Sequence, residues 1–106
     1  YYKGMAVTVP LHLDRLQGVE APGEIRQALA DFYAGQPLIR VAPEPGGTVY
    51  ANAGAGKDSL TLIVAGAGSR CTVTALFDNL GKGASGAAVQ NMDLMLGFHM
   101  TAGLAL

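Results

Sequence analysis

One segment constrains the fold of this chain more than any other. A strand pattern ends at Asp78, a run of glycines follows, and a helical pattern begins near Ala84. Residues 81–86 read Gly-Lys-Gly-Ala-Ser-Gly and satisfy G-x-G-x-x-G between a strand and a helix. Glycine has no side chain, so such a turn lets the backbone approach a ligand closely. Because a helix start has free N–H groups and a positive dipole end, we expect a phosphate, a carboxylate or a cofactor edge to bind there.

The same turn also has a purely structural interpretation, in which the glycines only allow close packing of strand and helix, and the pattern alone favours neither. A complete dinucleotide-binding domain would need a second parallel strand and an acidic residue about 20 positions further on. Neither is found before Leu106. The turn is therefore expected to touch a cofactor rather than to belong to the domain that holds it.

The first strand is predicted over residues 5–13, where apolar and polar residues alternate. Pro10 lacks an N–H group, which indicates either a position at the edge of a sheet or a bulge. His12 is on the polar face and is interpreted as a surface histidine. The face expected to be buried consists of Met5, Val7, Val9, Leu11 and Leu13.

A helix is predicted from Pro22 to a stop at Gly35, and a short strand over residues 38–41. The buried stripe of the helix is expected to be Ile25, Ala28, Leu29 and Phe32.

Residues 43–58 are rich in turn formers and predict a loop, with a brief extended piece at 48–50. Within it, residues 54–59 resemble a P-loop but lack its first glycine and its Ser/Thr, so we interpret them as a hairpin loop.

Two strands, 59–65 and 70–78, are joined by a tight connection and are therefore predicted to be antiparallel. A final helix is predicted over residues 84–96, ended by Gly97. The apolar stripe of this helix comprises Ala88, Val89, Met92, Met95 and Leu96. Together the elements predict one α+β domain over residues 1–106, with an antiparallel or mixed sheet of about four strands and two helices packed on one face.

The amino-acid composition limits the kinds of partner that this chain is expected to bind. Charged residues make up only 14% of the chain, where about 25% is usual, while hydrophobic residues make up 50%. This deficit predicts that an apolar face is covered, with a homo-oligomer formed through the sheet. The net charge of −1 without a basic stripe argues against nucleic acid, and the apolar runs are too short to span a membrane. With no targeting signal recognised, we expect a cytoplasmic protein.

Cysteine and histidine are scarce. Cys71 is the only cysteine, so an internal disulfide is ruled out, and its mid-strand position favours a structural role over a nucleophilic one. With only two histidines besides, no metal site is predicted.

At residues 78–97 the sequence resembles the N-acetyl-γ-glutamyl-phosphate reductases of arginine biosynthesis. The resemblance rests on the continuous segment that begins at Asp78-Asn79-Leu80 and ends at Gly97. Two further matches support it: Gly4-Met5 followed by residues 7–11, and Phe32-Tyr33 followed by residues 38–41. Many members have Gln where Ala87 stands and Asn where Asp93 stands. A related turn occurs in aspartate-semialdehyde dehydrogenases, which leaves a domain of that type as an alternative.

The resemblance implies a two-domain enzyme in which a Rossmann domain binds NADP. This chain would belong to the second domain, which is similar to that of glyceraldehyde-3-phosphate dehydrogenase. The implied reaction is NADPH-dependent reduction of N-acetyl-glutamyl phosphate through a cysteine thioester. Asn79, Lys82, Gly83 and Gly86 resemble the part of the family that closes over the nicotinamide end of the cofactor.

No catalytic residue is carried over. The family's nucleophile lies in an Asn-Pro-Gly-Cys segment that this sequence lacks, and neither His12 nor His99 matches its catalytic histidine. The chain is therefore expected to be a C-terminal fragment that is inactive alone. The alternatives are a non-enzymatic interaction module and a stand-alone nucleotide binder that uses residues 81–86.

Overall fold

The computed structural model describes residues 2–43 and 48–106. It contains four strands, two α-helices, a short 3₁₀ turn and a π-helical turn, which confirms the predicted α+β class. In chain order these are β1 (Met5–His12), the 3₁₀ turn (Leu13–Arg15), α1 (Pro22–Phe32), β2 (Ile39–Val41), β3 (Leu60–Ala67), β4 (Arg70–Phe77), the π turn (Gly81–Ser85) and α2 (Gly86–Leu96).

The four strands form one mixed sheet in the order β1-β4-β3-β2. β4 pairs antiparallel with both β1 and β3, and β2 pairs parallel with β3. The antiparallel pair β3–β4 and the edge position of β1 are therefore confirmed. Pro10 lies opposite Thr72 on that edge strand, where its missing N–H group costs the sheet nothing.

The connection between β2 and β3 corrects one prediction. Because these strands are parallel, residues 54–59 do not form a hairpin loop; they belong to a crossover between neighbouring strands. Residues 48–50 form no strand. Part of the predicted loop, residues 44–47, lies outside the described residues, as does Tyr1.

Helix α1 begins as its sequence predicts and covers one face of the sheet. Pro22 lies in its first turn, and the Glu24 carboxylate accepts the N–H groups of Glu20 and Ala21 at 2.6 and 2.9 Å, which lowers its pKa. Ile25 and Leu29 pack against the core formed by Leu13, Val64 and Cys71. The predicted stripe is wrong at Ala28 and Phe32, which face solvent.

The buried core is small and lies under α1, so much apolar surface stays exposed. On β1 the predicted inward face is wrong at Met5, Val7 and Val9, which are 41–51% exposed, because α1 covers only the β2–β3 side of the sheet. Helix α2 contacts chiefly the π turn before it rather than the strands, and it ends at Gly97 with φ +76° as predicted. Its exposed side chains include Met92, Leu94, Met95 and Leu96.

None of the described helices is both long and apolar enough to cross a membrane.

Candidate functional site

The turn between β4 and α2 is organised by Asp78, the residue that follows β4. Its carboxylate is buried and accepts three backbone N–H groups. Oδ2 accepts from Gly56 at 2.7 Å, and Oδ1 accepts from Leu80 at 2.8 Å and Gly81 at 2.9 Å. The bonds from Gly56, Gly81 and Leu80 hold the pKa of Asp78 below its usual value, with a smaller contribution from the charge of Lys3. One carboxylate thus ties the crossover loop to the turn.

The backbone of the turn corrects the expectation of free N–H groups. Instead of an open helix start, residues 81–85 form a π turn that runs directly into α2. Besides the two N–H groups held by Asp78, those of Gly83, Ser85 and Gly86 donate to the carbonyl oxygens of Asp78, Leu80 and Gly81. These five groups are used inside the turn, so none of them is available to bind an anion.

Two of the glycines make room for Asp58. A Cβ atom on Gly86 would lie 2.2 Å from Asp58 Oδ1, and one on Gly81 would lie 2.8 Å from it and 2.6 Å from the Lys57 carbonyl oxygen. Asp58 also exchanges two backbone-directed bonds with Ala105: its N–H donates to the Ala105 oxygen, and its Oδ2 accepts the Ala105 N–H. The glycines therefore permit close packing of three chain segments.

Lys82 is half-buried, and its Nζ donates to Oε1 of Gln90, two turns along the helical run. Partial burial lowers the pKa of Lys82, whereas the negative charge of Asp58 acts in the opposite direction. Lys82 is thus a positioned cation rather than a freely solvated one.

Asn79 and Gly83 complete the predicted set. Asn79 Oδ1 accepts the Gly4 N–H at 3.0 Å and so joins the turn to the start of β1. Gly83 is exposed, and a Cβ on it would lie 3.1 Å from the Phe77 ring. Its backbone is therefore accessible from solvent at a point where a side chain would meet an aromatic ring.

The structure thus gathers Asn79, Lys82, Gly83 and Gly86 in one turn, although Gly86 is buried against Asp58 and faces no open space. Sequence reasoning missed the supporting roles of Asp78, Asp58 and Gln90. The role of Asp78 has a signal in the sequence, the order Asp-Asn-x-Gly at residues 78–81. An Asp at the start of a turn accepts hydrogen bonds from backbone N–H groups two or three residues further on. The other two come from distant sequence positions.

The remaining candidates have surroundings that fit the predictions. Cys71 is buried at 3% exposure in the core under α1, as predicted, and burial raises the pKa of its thiol. His12 is exposed on β1 opposite Arg70. His99 is exposed and hydrogen-bonds Thr101 through Nδ1.

Comparison with curated proteins decides the family. The chain is 49% identical over 102 residues to the N-acetyl-gamma-glutamyl-phosphate reductase of Rhizobium etli (strain CIAT 652), covering 91% of this chain and 33% of that protein. It belongs to the N-acetyl-gamma-glutamyl-phosphate reductase family. Reductases of the same name from Sinorhizobium medicae and Brucella anthropi match at 47% and 46% identity, over 91% and 90% of this chain. No family model matches.

The chain spans about a third of the length of these reductases, namely 32–33%. The recognition made from residues 78–97 is confirmed, and the chain is a part of such a reductase.

Proposed function

We propose that this chain acts as part of an enzyme that reduces N-acetyl-glutamyl phosphate to the semialdehyde with NADPH, and that it has no activity alone. The observation that carries the proposal is the match of about 90% of the chain to reductases of this name. The remaining two-thirds of those reductases would supply the nucleophile and the main cofactor domain.

Within that enzyme we propose that the turn formed by Asn79, Lys82, Gly83 and Gly86 lies against the cofactor. When bound, the cofactor would supply the hydride. Lys82 offers a half-buried cation oriented by Gln90, which suits an anionic group such as a phosphate. Gly83 offers exposed backbone. Asn79 ties the turn to Gly4, and Gly86 leaves room for Asp58 beside it. Because five of the N–H groups of the turn are used internally, we propose that the Lys82 ammonium carries the attraction.

We also propose a homo-oligomer in the cytoplasm, with the substrate as the small-molecule partner and neither nucleic acid nor membrane involved. The exposed row of Met5, Val7 and Val9 supports self-association.

A chimera tests the proposal. Residues 1–106 replace the matching third of the Rhizobium etli reductase, and NADPH oxidation driven by the acyl phosphate is followed by absorbance. We expect activity from the chimera and none from the chain alone. A chimera that is folded and has the oligomeric state of the parent reductase but is inactive, or reductase activity in the isolated chain, would contradict it.

The role of the turn is tested in the same chimera. Lys82→Gln is expected to raise KM for NADPH about tenfold or more, the effect of one charge-assisted hydrogen bond. Arg15→Gln, an exposed cation in the 3₁₀ turn, is the control and is expected to leave KM unchanged. An equal change of KM for NADPH in the two variants would show that Lys82 does not contact the cofactor.

A further inference from the structure

Two adjoining cavities lie on the face of the sheet opposite α1, beside the crossover loop that Asp78 ties to the turn. Their volumes are about 240 and 210 Å³. Both are lined by Arg40, Thr61 and Leu76, which are paired in register across β2, β3 and β4 and so form one row on the same face. Val64 and Val73, which belong to the core under α1, point to the other face.

The crossover loop forms the wall of these cavities. Gly54 lines both, and it packs so closely on the end of β4 that a Cβ atom there would lie 3.3 Å from the Phe77 Cα. On the sheet side, Leu76 is 6% exposed and lies beside Thr61 and Arg40. The smaller cavity is therefore a bounded space between the sheet and a tightly packed loop.

Hydrogen-bond donors surround the smaller cavity. It is lined by the guanidinium-bearing Arg40 and the ammonium-bearing Lys57, together with the hydroxyl residues Ser59 and Thr61. Within the described chain these four side chains form no hydrogen bond or ion pair with one another or with other residues. Two cations and two hydroxyl groups are thus uncommitted around one space.

Among the residues that the structure describes, none with a carboxylate side chain lines either cavity. The nearest along the chain, Asp58, is held by the Ala105 N–H and packs against Gly81 and Gly86. Leu106 lines one end of the smaller cavity. Among the described residues, no neighbouring carboxylate side chain neutralises the positive charge around this space.

We infer that this cavity is an anion-binding site for a small molecule that bears an oxyanion, either a phosphate ester or a carboxylate. Arg40 suits both groups, because its planar guanidinium donates two parallel hydrogen bonds to phosphate or carboxylate oxygens. Lys57 adds a second charge, and Ser59 and Thr61 donate hydroxyl hydrogens. The site does not depend on the reductase assignment, since it rests only on the residues around the cavity.

The test is an NMR titration of the purified protein, with inorganic phosphate in one arm and acetate in the other, at constant ionic strength. The amide signals of Gly54, Ser59 and Thr61 are expected to shift in a saturable way. Response to phosphate alone identifies a phosphate-ester site, response to acetate alone a carboxylate site, and response to both a general oxyanion site. No saturable shift in either arm overturns the inference.

Variants locate the site. Arg40→Gln and Lys57→Gln, both at exposed positions, are each expected to weaken binding at least about tenfold. Arg15→Gln, which lines neither cavity, is expected to bind as the unmodified protein does. Equal affinity in all three variants overturns the inference. The two variants are independent, so loss of fold in one, seen by circular dichroism, leaves the other to decide. Binding is read without catalysis, which separates this result from the chimera assay.

Discussion

At the scale of single residues, Gly86 has the most closely surrounded Cα of the turn. A methyl group there would lie 2.2 Å from Asp58 Oδ1 and 2.8 Å from the Gly81 carbonyl oxygen, which is backbone and cannot swing away. Gly86→Ala is therefore expected to lower the free energy of unfolding by about 1–3 kcal/mol, the usual cost of overpacking. Urea denaturation measures this.

Gly23 provides the matched control for Gly86. It also lies in the first turn of an α-helix, but a Cβ atom there would have no heavy atom within 4 Å. Gly23→Ala is expected to be neutral or to stabilise by up to about 1 kcal/mol, because alanine has the higher helix propensity. If both substitutions change stability equally, the tight contact with Asp58 is not the reason for glycine at position 86.

Asp93 is a second residue whose surroundings predict the effect of a substitution on stability. It is 4% exposed, and its Oδ2 is buried without a hydrogen-bond partner in the described chain. It also lies in the last turn of α2, where the helix dipole disfavours negative charge. Asp93→Asn is expected to stabilise the isolated chain by about 1 kcal/mol in thermal or urea unfolding.

Asp31 is the control for Asp93, because it lies in the last turn of α1 but is exposed and accepts a hydrogen bond from Gln27 at 2.7 Å. Asp31→Asn is expected to change stability by less than about 0.5 kcal/mol. Destabilisation by Asp93→Asn would show that its carboxylate is needed where it is.

At the scale of elements, the π turn depends on the ionised form of Asp78. Hydrogen bonds from Gly56, Gly81 and Leu80 lower its pKa in the folded state below the ordinary 3.8. The unfolded chain therefore binds this proton more readily, and the carboxylate contributes stability that is complete above the ordinary pKa and is lost as pH falls through the folded value. Asp78→Asn is expected to destabilise the protein at pH 7.

The pH series itself is the control for Asp78. Unfolding of the unmodified protein and of Asp78→Asn is followed from pH 7 downward. The difference between their free energies of unfolding is expected to narrow below about pH 4, as the native carboxylate takes up its proton. A difference that stays constant over the whole series would mean that ionisation of Asp78 does not stabilise the turn.

The same elements show what the sequence could predict. Alternation and turn residues predicted β1, β3 and β4 and the antiparallel pairing of β3 with β4, because those signals are local. The pairing of β2 with β3 was missed, since a parallel crossover depends on distant contacts rather than on residues 54–59. Similarly, local pattern predicted a glycine turn but not its internal use of N–H groups, which follows from Asp78 and the π geometry.

At the scale of the whole molecule, the fold is extended. The Cα radius of gyration is 15.0 Å, whereas a compact domain of about 100 residues has about 13 Å. Helix α2 contacts mainly its own π turn, and the apolar row of Met5, Val7 and Val9 continues past the area that α1 covers. Only 14% of the residues are charged, so few charged side chains are available to surround this exposed apolar row. An exposed apolar row of this kind is typical of an association surface.

Val7 lies at the centre of that row, at 46% exposure on the edge strand. If copies of the chain associate through it, Val7→Asp places a charge in an apolar interface and is expected to raise the dissociation constant at least about tenfold, or about 1.4 kcal/mol, in sedimentation equilibrium. Thr8→Asp is the matched control, since Thr8 is the next residue of the same strand and points to the opposite face, where it bonds Thr74. Because both variants add one negative charge to β1, general repulsion would affect them equally, and only burial of the Val7 face separates them. Equal dissociation constants for the two, or a monomer in the unmodified protein, would exclude this row as the site of self-association.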